Sequence, residues 1–90
     1  MNDVFRALSD PTRRGILELL RSGPRTSGEI AKKFRTSWAT ISRHLSVLKD
    51  AELILAERKG QHIVYELNTT VFQEVVEHLI KWLRPRRPNA

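Results

Sequence analysis

Apolar residues recur at helical spacing along most of the chain and turn to strand-like alternation in a single stretch. Val4, Phe5 and Leu8 mark a short first helix. Asp10-Pro11-Thr12-Arg13 then reads as a helix start, because Asp10 can accept from an orphan N–H and Pro11 suits the first helical position. Ile16, Leu17, Leu19 and Leu20 give that second helix its apolar face, and Ser22-Gly23-Pro24 stops it. Thr26 and Glu29 have the spacing of a capping box, opening a short third helix with Ile30, Ala31 and Phe34 inward. Arg35-Thr36-Ser37 is a tight polar break. Ser37 caps a longer fourth helix, from Trp38 to about Ala51, buried through Ile41, Leu45 and Leu48.

After Leu53-Ile54 the period changes. Leu55 to Arg58 and His62 to Leu67 flank Lys59-Gly60-Gln61, which predicts a hairpin with Gly60 free to take positive φ. A last helix is expected from about Thr70 to Leu83, where Pro85 and Pro88 end it. A short helix followed closely by a longer one reads as a helix-turn-helix. The expected fold is mainly α with a small β-hairpin wing, a winged helix-turn-helix. Residues 1–84 form one domain, and residues 85–90 form a basic flexible tail.

Composition narrows the chemistry. The 90 residues suit one domain, near the size at which a single core is only marginally stable and dimerisation adds buried surface. Sixteen Lys and Arg against ten Asp and Glu favour a polyanionic partner, nucleic acid ahead of an anionic membrane. The absence of cysteine excludes a disulfide framework, a thiol nucleophile and a thiolate metal site. Met1-Asn-Asp-Val-Phe-Arg has no apolar signal core, and no apolar run approaches ~18 residues, so a soluble cytoplasmic protein without membrane insertion is expected. An enzyme is disfavoured by three dispersed histidines, no phosphate-cradling Gly loop and too little chain for a buried cleft. No cofactor is expected.

The helix from Trp38 is polar on one side at its start, where Ser37, Trp38, Ala39, Thr40, Ser42 and Arg43 gather. A recognition helix enters the major groove with its first turns while its other face packs on the domain. Arg43 suits guanine O6 and N7, Thr40 and Ser42 suit base edges or phosphates, and Ala39 and Trp38 suit thymine methyls. A merely solvated face is the bland alternative. Trp38 reads either as a base or sugar contact or as a residue packed across the turn or wing. His44 reads as a structural hydrogen-bonding residue ahead of a base contact. In the hairpin, Arg58, Lys59, Gln61 and His62 could reach phosphates or the minor groove. Lys32, Lys33 and Arg35 either touch phosphates or complement a helix dipole.

Three segments together resemble the ArsR/SmtB family of bacterial winged-helix repressors. They are Ala7-Leu8-Ser9-Asp10-Pro11-Thr12-Arg13-Arg14-Gly15-Ile16-Leu17, Thr40-Ile41-Ser42-Arg43-His44-Leu45-Ser46-Val47-Leu48, and Arg58-Lys59-Gly60-Gln61-His62-Ile63-Val64-Tyr65-Glu66-Leu67-Asn68. The short length and the Leu67-Asn68-Thr69-Thr70 junction look most like the SdpR-type autorepressors. The resemblance implies four helices, two strands and a fifth helix, in that order. It also implies a homodimer through the first and last helices, bound to an imperfect inverted repeat in double-stranded DNA that overlaps a promoter. The residues support a dimer independently. Phe72, Val75, Val76, Leu79, Ile80 and Leu83 make a stripe too wide for one small domain to cover easily, and Val4, Phe5 and Leu8 add to it. The alternative is that they only complete a monomer core. The acids Glu74 and Glu77 suit a face turned away from DNA, and Arg84, Arg86 and Arg87 follow the helix.

Two departures from the family stand out. Its metal sensors carry cysteines before the turn or a His/Asp/Glu set on the last helix. Here Ser27-Gly28-Glu29-Ile30-Ala31-Lys32-Lys33-Phe34 offers no soft ligand, and His78 has Glu74 and Glu77 but no second histidine, so no metal sensing is expected. The SdpR-like resemblance suggests release by a membrane-associated protein antagonist instead. At Ala51-Glu52-Leu53, relatives often carry Gly in place of Glu52, which marks the end of the recognition helix as strained or differently built. The competing reading is a winged-helix module for protein interaction or RNA. The basic wing opposes the first, and the narrow major groove of A-form RNA opposes the second.

Overall fold

A computed structural model describes residues 1–86. Five helices and three strands follow one another as α1 (Asn2–Leu8), α2 (Pro11–Leu20), β1 (Arg25–Thr26), α3 (Ser27–Lys32), α4 (Trp38–Asp50), β2 (Ile54–Lys59), β3 (His62–Leu67) and α5 (Thr69–Leu83). The helix order matches the expectation, and Gly60-Gln61 joins the hairpin strands. Strand β1 was not anticipated. Its two residues pair antiparallel with β3, Arg25 opposite Tyr65 and Thr26 opposite Val64, giving a three-stranded sheet in the order β1-β3-β2. Two residues are too few to show a period of two, so the alternation that revealed the hairpin was silent here. Arg87 and Pro88, expected in the tail, lie outside the described residues.

Local chemistry sets where each helix begins. Asp10 accepts the Arg13 backbone N–H at 3.0 Å, with Pro11 at the first position of α2. Thr26 Oγ1 accepts from the Glu29 N–H at 3.2 Å while Glu29 Oε1 accepts from the Thr26 N–H at 2.9 Å, so the capping box closes both ways. Helix α1 is only seven residues long, and its last carbonyls would be orphaned. Arg13 and Arg14 of the next helix satisfy them. Arg13 Nε donates to Ala7 O at 2.7 Å, and Arg14 Nη1 donates to Leu8 O at 2.8 Å.

Burial holds the elements together. Ile16, Ile30, Ile41, Leu48 and Leu53 are wholly enclosed, with Ile54 nearly so, and Leu17, Leu20 and Leu45 complete the centre. Each such side chain contributes about 1.5–3 kcal/mol on burial, against about 1 kcal/mol for a helix cap. Caps choose the boundaries; the core supplies the stability. Helix α2 comes close to the turn that follows α3 at Gly15, where a Cβ would stand 3.1 Å from the Phe34 ring.

The end of α4 resolves the Glu52 anomaly. Glu52 takes a left-handed conformation at φ 61°, the one described non-glycine residue with positive φ. The Glu52 N–H donates to Lys49 O at 2.9 Å, and the Leu53 N–H donates to Leu48 O at 3.1 Å. This is a Schellman closure, normally built around glycine.

Candidate nucleic-acid interface

Ser37 opens the surface. Its Oγ accepts the Thr40 N–H at 3.2 Å and lies 3.0 Å from Thr40 Oγ1, so one of the orphan N–H groups of α4 is satisfied without a covering element. Ile41, Leu45 and Leu48 bury one side of the helix. On the other side Ala39, Arg43 and Ser46 are exposed at a spacing of four and three residues, with Thr40 and Ser42 half-buried beside them. Among the described residues, no side-chain hydrogen bond or ion pair engages Arg43, which leaves its guanidinium fork available to a base edge. Trp38 is 53% exposed at the helix start, so neither turn nor wing covers it fully. Ser46 was missed by the sequence reading, although its position three residues after Arg43 places it on the same stripe.

His44 does not join this surface. Its side chain is only 13% exposed and turns back toward α2. Nδ1 lies 3.2 Å from Arg13 Nη1, and Nε2 lies 3.9 Å from Asp10 Oδ2. That is the structural hydrogen-bonding role weighed for it above, and it removes His44 from the base-contacting set. The Arg13 backbone N–H, above all, holds the Asp10 carboxyl below the usual carboxylate range.

The hairpin register divides the wing residues between two faces. Lys59 pairs with His62 and Arg58 pairs with Ile63, and side chains alternate along a strand. Lys59 and His62 therefore share one face near the tip, and Arg58 shares the other with Ile63. Arg58 Nε donates back to Gly60 O at 3.3 Å, within its own turn. Gly60 has φ 63° and Gln61 does not share the positive sign, the pattern of a type II′ hairpin turn. Lys59, Gln61 and His62 are exposed, as are Lys32, Lys33 and Arg35 near the helix-turn-helix.

The apolar stripe of α5 also divides. Val75 is buried in the chain's own core, as is Val4 of α1, while Phe72 and Leu8 pack against that core. The expectation that these residues face a second chain is corrected to that extent. Val76, Leu79, Ile80 and Leu83 remain exposed. Trp82, not singled out in the sequence, meets Phe5 of α1 at a ring-centroid distance of 6.2 Å and His78 edge-on at 4.9 Å. It lies seven residues after Val75, so helical spacing carried the signal. Among the described residues no three His, Cys, Asp or Glu side chains gather to hold a metal ion. No helix among them is long and apolar enough to cross a membrane.

A helix-turn-helix with an open reading face, backed by a basic β-hairpin, defines a winged-helix DNA-binding protein. Residues 10–55 match the family of bacterial regulatory proteins described as the arsR family. The chain belongs to that family: it is a DNA-binding transcriptional repressor and not an enzyme. It is 52% identical over 83 residues to the transcriptional repressor SdpR of Bacillus subtilis (strain 168), covering 92% of each chain. A crystal structure of an ArsR family transcriptional regulator superposes with a TM-score of 0.75 at 30% identity, covering 94% of this chain and 92% of that one. An ArsR-like transcriptional regulator from Rhodococcus sp. RHA1 gives a TM-score of 0.82 at 28% identity, covering 89% and 73% respectively.

Proposed function

We propose that the protein is a homodimeric autorepressor that binds an imperfect inverted repeat in the promoter of its own operon. The observation that carries this reading is Arg43, unpaired among the described residues, on the open face of α4, flanked by Ala39, Thr40 and Ser42 and headed by Trp38. Arg43 reads guanine in the major groove, and its neighbours contact adjoining base edges and phosphates. Lys59, Gln61, His62 and Arg58 hold the DNA backbone or the adjacent minor groove. The exposed row Val76, Leu79, Ile80 and Leu83, with Phe5 and Trp82 at its edge, forms the dimer contact.

Repression is independent of metal in this reading. The positions of the family's cysteine ligands hold Ser27 to Phe34, and on α5 His78 is committed to the edge of Trp82. Release then falls to another agent, which this reading takes to be a membrane-associated protein antagonist acting on a cytoplasmic repressor. A mobility-shift assay at fixed salt tests the core of the proposal. Promoter DNA is expected to bind on the order of several hundredfold more tightly than scrambled DNA. Equal affinity for both would sink it.

A further inference from the structure

Arg13 ties three helices to one another. From the start of α2, its Nε donates to Ala7 O at 2.7 Å and its Nη2 to Arg6 O at 2.9 Å, both at the end of α1. Its Nη1 reaches His44 Nδ1 of α4 at 3.2 Å. A guanidinium is a planar fork without an acceptor, so fixing two of its nitrogens on α1 fixes where the third points. Because Nη1 can only donate, His44 Nδ1 presents its lone pair, and the ring proton sits on Nε2, facing Asp10 Oδ2 at 3.9 Å. Asp10 in turn accepts the backbone N–H of Arg13. The ring of His44 is thereby tied to Arg13 on one side, with Asp10 standing beyond hydrogen-bond reach on the other, and α4 is oriented against α1.

We propose that Arg13 is a positioning residue for operator recognition, setting the direction of α4 relative to the α1 side of the molecule and so the half-site spacing the protein accepts. The inference rests on the dimeric reading given above. Helix α4 has 13 residues and is therefore about 20 Å long. A tilt of ~10° about its far end carries the start of the helix through about 3.4 Å, the rise of one base pair, and Arg43, roughly halfway along, through about half that. Two half-sites of an inverted repeat are read together only if both helices arrive in register. A small loss of orientation thus becomes a loss of spacing selectivity, whereas a lone half-site, with no second site to match, is affected less. A residue that only capped α1 would change stability and leave spacing alone.

The experiment measures binding to duplexes whose two half-sites are separated by added or deleted base pairs, and to a duplex with one half-site. Wild-type protein is expected to prefer one spacing by about tenfold over its neighbours, in keeping with the cost of a mismatched contact. Arg13→Gln flattens that preference to about threefold or less while single half-site affinity stays within about twofold. Arg13→Lys is read in parallel, because one ammonium still caps α1 yet cannot also span to α4. That variant keeps the test open should Arg13→Gln fail to fold. His44→Asn, whose Oδ1 still accepts from the guanidinium, retains the wild-type spacing profile, and His44→Leu loses it. Arg13 variants with the wild-type profile overturn the positioning role and leave the dimer reading standing. A wild type indifferent to spacing overturns both.

Discussion

The backbone N–H of Leu53 donates to the carbonyl of Leu48 at 3.1 Å, closing the recognition helix over a left-handed Glu52. Both leucines are fully buried, so the closure is anchored by apolar contact on either side of the turn. A non-glycine residue in this conformation costs about 1–2 kcal/mol, from the approach of Cβ to the following carbonyl. Glu52→Gly is therefore expected to stabilise the protein by about 1 kcal/mol, offset in part by the greater freedom of glycine when unfolded. For a domain of this size that is a rise in Tm of about 4–8 °C. Thermal denaturation checks it, and a lowered midpoint would show that the Glu52 side chain contributes more than the strain costs.

Arg43 and Lys59 should separate specificity from grip. Arg43→Ala is expected to cost about 1–3 kcal/mol at one base pair of the preferred site and to relax selectivity there. Lys59→Ala should weaken every sequence alike and lower the salt slope by about one. Competition binding with single-base variants, repeated across a salt series, distinguishes them. Uniform loss in both variants rejects base readout by Arg43.

The two sides of α5 predict opposite failures. Val76→Glu or Leu79→Glu should leave a folded monomer, because these side chains are already exposed in the single chain. Val75→Glu buries an unpaired carboxylate in the core and should unfold the protein, a loss of several kcal/mol. Sedimentation and circular dichroism together check this. A dimer that survives Leu79→Glu places the interface elsewhere.

Acid should act through the caps of α2 and α3. The Asp10 carboxyl is lowered chiefly by the Arg13 backbone N–H, and the Glu29 carboxyl chiefly by the Thr26 backbone N–H. A carboxyl lowered in the folded state adds stability that is complete above its unfolded pKa and lost as pH falls through its folded one. Stability is thus expected to decline from the ordinary carboxylate range downward. Asp10→Asn keeps a side-chain oxygen that caps comparably but cannot titrate, so it should match wild type at neutral pH and lose less stability in acid. Urea midpoints across pH measure the difference; identical acid profiles would remove Asp10 as a contributor.

The helices were legible because their signals are local and redundant. Asp10-Pro11, Thr26 with Glu29, and Ser37 each mark a start by chemistry that needs no distant partner. Gly60 announced the hairpin in the same way. What escaped depends on distant packing. Residues Arg25–Thr26 become a strand only because β3 arrives beside them. The α5 stripe showed which residues are apolar, but not which of them the same chain would cover, so Val75 and Val76 looked alike. Arg13 carried no periodic or motif signal for its bridge to His44, 31 positions away. Trp82 and Ser46, by contrast, were within reach of spacing alone.

Thr26 occupies two structures at once: it is a rung opposite Val64 in the sheet and the cap of α3 through its pairing with Glu29. The wing cannot peel away without disturbing the helix that leads into the turn, and α3 cannot unwind its first residues without tugging on the central strand. Amide exchange in the two regions should therefore proceed through a shared opening, with one protection level in place of two. A partner that pulls on the hairpin tip is mechanically connected, through the short strand Arg25–Thr26, to the scaffold beneath the reading helix.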